Sequence, residues 1–72
     1  MKLNHHSLRV IRELSGLTQT LVAGAAGIDR PNYAHIESGR RRGTPAQITA
    51  IAKAIGVPVL AICTINDVEA AA

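Results

Sequence analysis

The stretch Gln19–Ser38, QTLVAGAAGIDRPNYAHIES, has the spacing of two short helices meeting at a tight turn. Val22, Ala26, Ile28, Tyr33 and Ile36 supply its apolar positions, Ala23 is small where the helices must approach closely, and Gly27 stands where the turn needs a positive φ. Thr18 precedes the first of these helices as an N-cap, and Leu21, Val22 and Ala25 are its expected buried face. Asp29 caps the second helix. Pro31 fits it only near its start, where the missing N–H falls among donors that have no intrahelical partner. The second helix is expected over Arg30–Glu37, stopping at Gly39.

Upstream, Leu8, Ile11, Leu14 and Leu17 recur at three-residue intervals, which predicts a helix over His5–Ser15 closed by Gly16. Downstream, a basic RRRG loop leads to Thr44-Pro45-Ala46-Gln47, a capping-box pattern with proline at the first helical position. The helix that follows runs to Ile55, presents Ile48, Ile51, Ala52 and Ile55 to the core, and ends at Gly56. Pro58 starts an expected short fifth helix through Val59, Leu60, Ile62 and Cys63. The chain is thus expected to be an all-α, five-helix domain over residues 1–65, with a flexible tail at 66–72 whose apolar content is too low to dock.

With 72 residues, a chain hides only about 60% of its unfolded surface, so one compact domain is expected and a large catalytic cleft is not. No nucleophile, base and orienter can be assembled from these residues, which argues against an enzyme. The single cysteine, Cys63, cannot form an internal disulfide and lies among apolar residues, as a buried thiol in a reducing compartment would. No apolar run reaches the roughly 20 residues of a membrane span, and the N-terminus lacks a signal-peptide segment, so a cytoplasmic location is expected. His5 and His6 diverge on a helix, and with His35 and Cys63 they give no zinc-ligand spacing. No metal, cofactor or small-molecule ligand is expected. The net charge of +3, with Arg40, Arg41 and Arg42 consecutive, suits a polyanionic partner, the alternative being a solvated loop.

With the tight-turn pair placed second and third among five helices, the chain resembles the Cro and C1-type repressors, also called the XRE family, over about Leu8–Ile62. The resemblance rests on GLTQ at Gly16–Gln19, the A-x-x-x-G of Ala23–Gly27, IESGR at Ile36–Arg40 and IAKAIGV at Ile51–Val57. It implies a lambda-repressor-like, helix-turn-helix DNA-binding domain whose second motif helix enters the major groove. By the same resemblance Arg30, Pro31, Asn32 and His35 become base-reading residues. Thr18, Gln19 and the helix start beside them become a phosphate site, and Arg40, Arg41 and Arg42 a backbone clamp. The chemistry agrees: arginine pairs with guanine, asparagine with adenine, and a proline ring packs on a thymine methyl. The resemblance also implies a buried ion pair between Arg12 and Glu37, the alternative being an exposed pair of little energetic weight. It turns Tyr33 inward.

The expected function is therefore transcriptional regulation, by a homodimer that binds a partly palindromic double-stranded operator and occludes a promoter, in the manner of a phage Cro-like or immunity repressor. An antitoxin or adaptor whose main partner is another protein is the alternative. A one-sided helix cannot turn Val59, Ile62, Cys63 and Ile65 all inward, so an apolar patch on the fifth helix, with Val59, Ile62 and Cys63 as the dimer contact, is expected.

Overall fold

The computed structural model describes residues 1–64. In chain order these form β1 (Lys2–Leu3), α1 (His5–Leu14), α2 (Gln19–Ala26), α3 (Arg30–Glu37), α4 (Pro45–Ile55), a single 3-10 turn (Val59–Ala61) and β2 (Cys63–Thr64). Each α-helix opens on a side-chain cap that accepts a backbone N–H three residues on. Asn4 accepts from Ser7, Thr18 from Leu21, Asp29 from Asn32 and Thr44 from Gln47. At Thr44 the cap is reciprocal, because the Gln47 side chain also accepts the Thr44 backbone N–H at 3.0 Å. Between α2 and α3 the chain reverses through Gly27 at φ +72°, a left-handed conformation that costs glycine little and a β-carbon more.

The core is built where α2 crosses α4. Val22 and Ala23 of α2 meet Ile48, Ile51 and Ala52 of α4, all essentially without solvent contact, and Leu8, Tyr33 and Ile36 close the layer from α1 and α3. Two expected apolar faces are corrected. Leu14 is 82% exposed. A three-residue repeat on a helix advancing about 100° per residue slips by about 60° at each step, so from Leu8 the third member already lies well off the core side. The fourth residue on, Arg12, faces inward instead and is buried. In α2, Leu21 is 60% exposed and Ala25 is exposed, because the helix turns Val22, Ala23 and Ala26 toward its neighbours.

The expected fifth α-helix is replaced by the 3-10 turn and a strand, so four α-helices stand among the described residues. After Pro58 the chain makes two i+3 bonds, Ala61 N–H to Pro58 and Ile62 N–H to Val59, and then leaves helical geometry at Ile62 with φ −122°. It is drawn into a two-stranded antiparallel sheet, Lys2 opposite Thr64 and Leu3 opposite Cys63, and the Asn4 N–H donates to the Ile62 carbonyl at 2.7 Å. Leaving the helix removes the geometric conflict foreseen for this segment. Ile62 and Cys63 are both buried, at 0% and 4% exposure, so neither can belong to a dimer contact on the surface of this fold, while Val59 is half-buried. Ile65 and the tail expected at 66–72 lie outside the described residues.

Arg12, in the last turn of α1, and Glu37, the last residue of α3, tie these two helices together. The Arg12 Nε–H donates to one Glu37 carboxylate oxygen at 2.8 Å and a terminal N–H to the other at 2.9 Å, while its remaining terminal nitrogen donates to the Leu17 carbonyl at 2.7 Å. Gln19 adds a fourth bond from the start of α2, donating to Glu37 at 3.2 Å. Burial pushes the Glu37 carboxyl up, but the bonds from Arg12, with those of its neighbours, outweigh that effect and hold it below its ordinary value. The Arg12 guanidinium is raised, chiefly by its bond to Glu37.

Two outcomes follow. Replacing Arg12 by Ala strands a carboxylate in the interior, and chemical denaturation at neutral pH is expected to show a loss of about 3 to 5 kcal/mol. Because the Glu37 pKa is depressed on folding, its contribution is complete above the ordinary value of 4.5 and disappears as pH falls below it toward the lowered one. A stability profile in acid is therefore expected to fall more steeply for the natural chain than for Glu37→Gln, which starts lower at neutral pH; parallel profiles would contradict this assignment.

Candidate nucleic-acid interface

The solvent side of α3 is built by two local rules. The Asp29 cap fixes where the helix begins, and Pro31 fits within the first turn. The inward positions Tyr33, Ile36 and Glu37 then leave Arg30, Pro31 and His35 exposed and Asn32 half-exposed. Below them the chain passes through Gly39 at φ +84°, where a β-carbon would come within 2.9 Å of the His5 imidazole. The Arg41 N–H then donates back to the His35 carbonyl at 3.1 Å, folding the basic loop against the end of α3. Arg40, Arg41 and Arg42 are all exposed.

Electrostatically this side is predominantly basic. Among the described residues Arg30, Arg40, Arg41 and Arg42 have no ion-pair partner, whereas Glu37, the acidic residue at the end of α3, is withdrawn into its pair with Arg12. Asp29 is the carboxylate that stands beside Asn32 and Arg41 on this side. Its side-chain bond with Asn32 and then its cap bond hold its pKa below the usual range, so it stays ionised as a cap.

Thr18 and Gln19 are placed differently from one another. The Thr18 hydroxyl oxygen is occupied as the α2 cap, at 3.1 Å from the Leu21 nitrogen. Gln19 is half-buried, with one amide N–H committed to Glu37 and a second left by its chemistry. The structure adds residues that the sequence did not single out. His5, His6 and Arg9 of α1 line a cleft together with Gln19, Glu37 and Ser38 beside the end of α3, with Arg9 held 3.9 Å from Glu13 one turn along its own helix. Nothing in the local pattern of HHSLR could have signalled this, because it depends on how α1 crosses the end of α3. Asp29 lies three residues before Asn32, a spacing that was legible, but the approach of Arg41 to Asn32 across the loop was not.

Tyr33, the one aromatic residue, is fully buried, so it is a core residue and offers no stacking surface. Burial first, and then the Glu37 carboxylate, raises its pKa. Among the described residues no three His, Cys, Asp or Glu side chains gather as a metal site, and no helix is long and apolar enough to cross a membrane.

A family model described as a helix-turn-helix domain matches residues 6–61. The fold is also similar to the crystal structure of the restriction-modification controller protein C.AhdI from Aeromonas hydrophila. The two superpose with a TM-score of 0.77 at 28% identity, over 79% of this chain and 86% of that one. No curated protein is similar enough in sequence to stand as a relative. The family match spans all four α-helices, with α2, the Gly27 turn and α3 forming its motif, and the chain belongs to the Cro/C1-type helix-turn-helix DNA-binding proteins.

Proposed function

We propose that this chain regulates transcription by reading a partly palindromic operator as a homodimer. The observation that carries the reading is the exposed side of α3, where Arg30, Pro31, Asn32 and His35 stand beside three arginines that have no ion pair among the described residues. With α3 in the major groove, Arg30 and Asn32 are the base readers, Pro31 packs on a thymine methyl, and His35 reaches the groove wall or a phosphate. Gln19 and the first amides of α2 hold one phosphate, and Arg40 and Arg42 clamp the next stretch of backbone. A two-fold partner sets the second α3 about 34 Å away, one helical turn along the duplex.

Two settings fit such a regulator. A phage Cro-like or immunity repressor that occludes a promoter is the one the sequence suggests. Control of a restriction-modification operon is favoured by the likeness to C.AhdI, itself a restriction-modification controller. Genome-wide selection of bound DNA separates them, since the sites should lie beside either phage promoters or a restriction and methyltransferase gene pair.

Binding should be strongly salt-dependent. With about four phosphate contacts per subunit, log affinity of the dimer is expected to fall with log salt at a slope of about −7, and a slope near zero would overturn the reading. Arg40→Ala or Arg42→Ala should weaken operator and random duplex alike. Asn32→Ala should cost about 1 to 3 kcal/mol on the operator and relax its preference at one base pair, as competition binding would show. For the dimer, Leu60 on the 3-10 turn is the apolar side chain that takes the place of Ile62 and Cys63, at 65% exposure. Leu60→Asp is expected to leave the fold intact but abolish two-to-one binding on the full operator by sedimentation; unchanged stoichiometry and affinity would exclude that surface.

A further inference from the structure

The reading residue Asn32 is not free to rotate. Its side-chain N–H donates to one Asp29 carboxylate oxygen at 2.6 Å, while the other Asp29 oxygen accepts the Asn32 backbone N–H as the helix cap at 3.2 Å. On its other edge the Asn32 side-chain carbonyl accepts an N–H from Arg41 at 2.6 Å. Arg41 is held in reach by its own backbone bond to His35, one turn along α3. Turning the amide over would set its NH₂ against a guanidinium and its carbonyl against a carboxylate, so both bonds would become repulsions. The two charged partners therefore select one orientation.

We propose that Asp29 and Arg41 are positioning residues that fix the Asn32 amide for one base edge, an inference that rests on the reading of α3 as the base-reading helix. A primary amide carries two donors and two acceptor lone pairs, and the two partners use one of each. One N–H and one lone pair remain, the complement that an adenine N7 and N6 require. Orientation is thus set before DNA arrives, and Arg41 retains further N–H donors for the phosphate backbone. On this account Arg41 differs from Arg40 and Arg42: besides neutralising charge it contributes to sequence preference through Asn32.

The test separates the cap from the orienting bond. Asp29→Ser keeps a good N-cap oxygen but has no second oxygen for the Asn32 side chain. Operator and random-duplex affinities are measured at one salt concentration for the natural chain, Asp29→Ser and Arg41→Ala, each also in an Asn32→Ala background, with thermal melts as the folding control. Asp29→Ser should bind random duplex as well as or better than the natural chain, since a carboxylate has left a phosphate-facing surface. Its operator-to-random ratio should nevertheless fall by roughly five- to tenfold, concentrated at the base pair that Asn32 reads. Arg41→Ala should lower that ratio as well as overall affinity. In the Asn32→Ala background neither change should alter the ratio further. An unchanged or higher ratio for Asp29→Ser, or equal losses in both backgrounds, would overturn the positioning role while leaving α3 as the reading helix. A natural chain that prefers no sequence would overturn that reading as well.

Discussion

The buried, two-bond pairing of Arg12 with Glu37 is the constraint on which the rest of the arrangement depends. One guanidinium reaches the carboxylate at the end of α3 and the Leu17 carbonyl in the link between α1 and α2, and Gln19 joins from the start of α2. Three helices are thereby fixed at one point. Interior charge is costly unless its partner and its remaining donors are satisfied, so the helices hold each other in the geometry that satisfies it. In a domain this small, such a specific lock complements the non-directional packing of the apolar core.

The same pair shapes the outer surface. Drawing Glu37 inward removes an acid from the end of α3 and leaves the arginines of the following loop unopposed. The positive-φ turn at Gly39 and the backbone bond from Arg41 to His35 then lay that loop along the helix rather than away from it. Positive charge and the exposed side chains of α3 are presented together, which suits a polyanionic partner.

At the opposite end of the chain a smaller device replaces a helix. Asn4 caps α1 with its side chain and ties the Ile62 carbonyl with its backbone N–H, so the first residues of the domain and its last described ones are fastened at the same place. Ile62 and Cys63 become core residues as a result, and Leu60 is left outside.

What the sequence determined by itself was local. The bounds of α3 and α4, the caps at Thr18, Asp29 and Thr44 and the turn at Gly27 all rest on bonds or dihedral preferences spanning three or four residues, which residue type and spacing encode directly. Membership of the helix-turn-helix DNA-binding family was legible too, through the sequence pattern around α2 and α3. Tertiary structure alone decided the rest, for one reason: these features need partners distant in the chain. Arg12, a charged residue on the inner face of α1, is buried because α3 ends against it with Glu37, 25 residues beyond. The expected fifth helix gave way to a strand because Leu3 and Asn4 offered it hydrogen bonds that a helix could not use. Asn32 acquired its orientation from an arginine nine residues later, brought within reach only when the loop folded back onto α3.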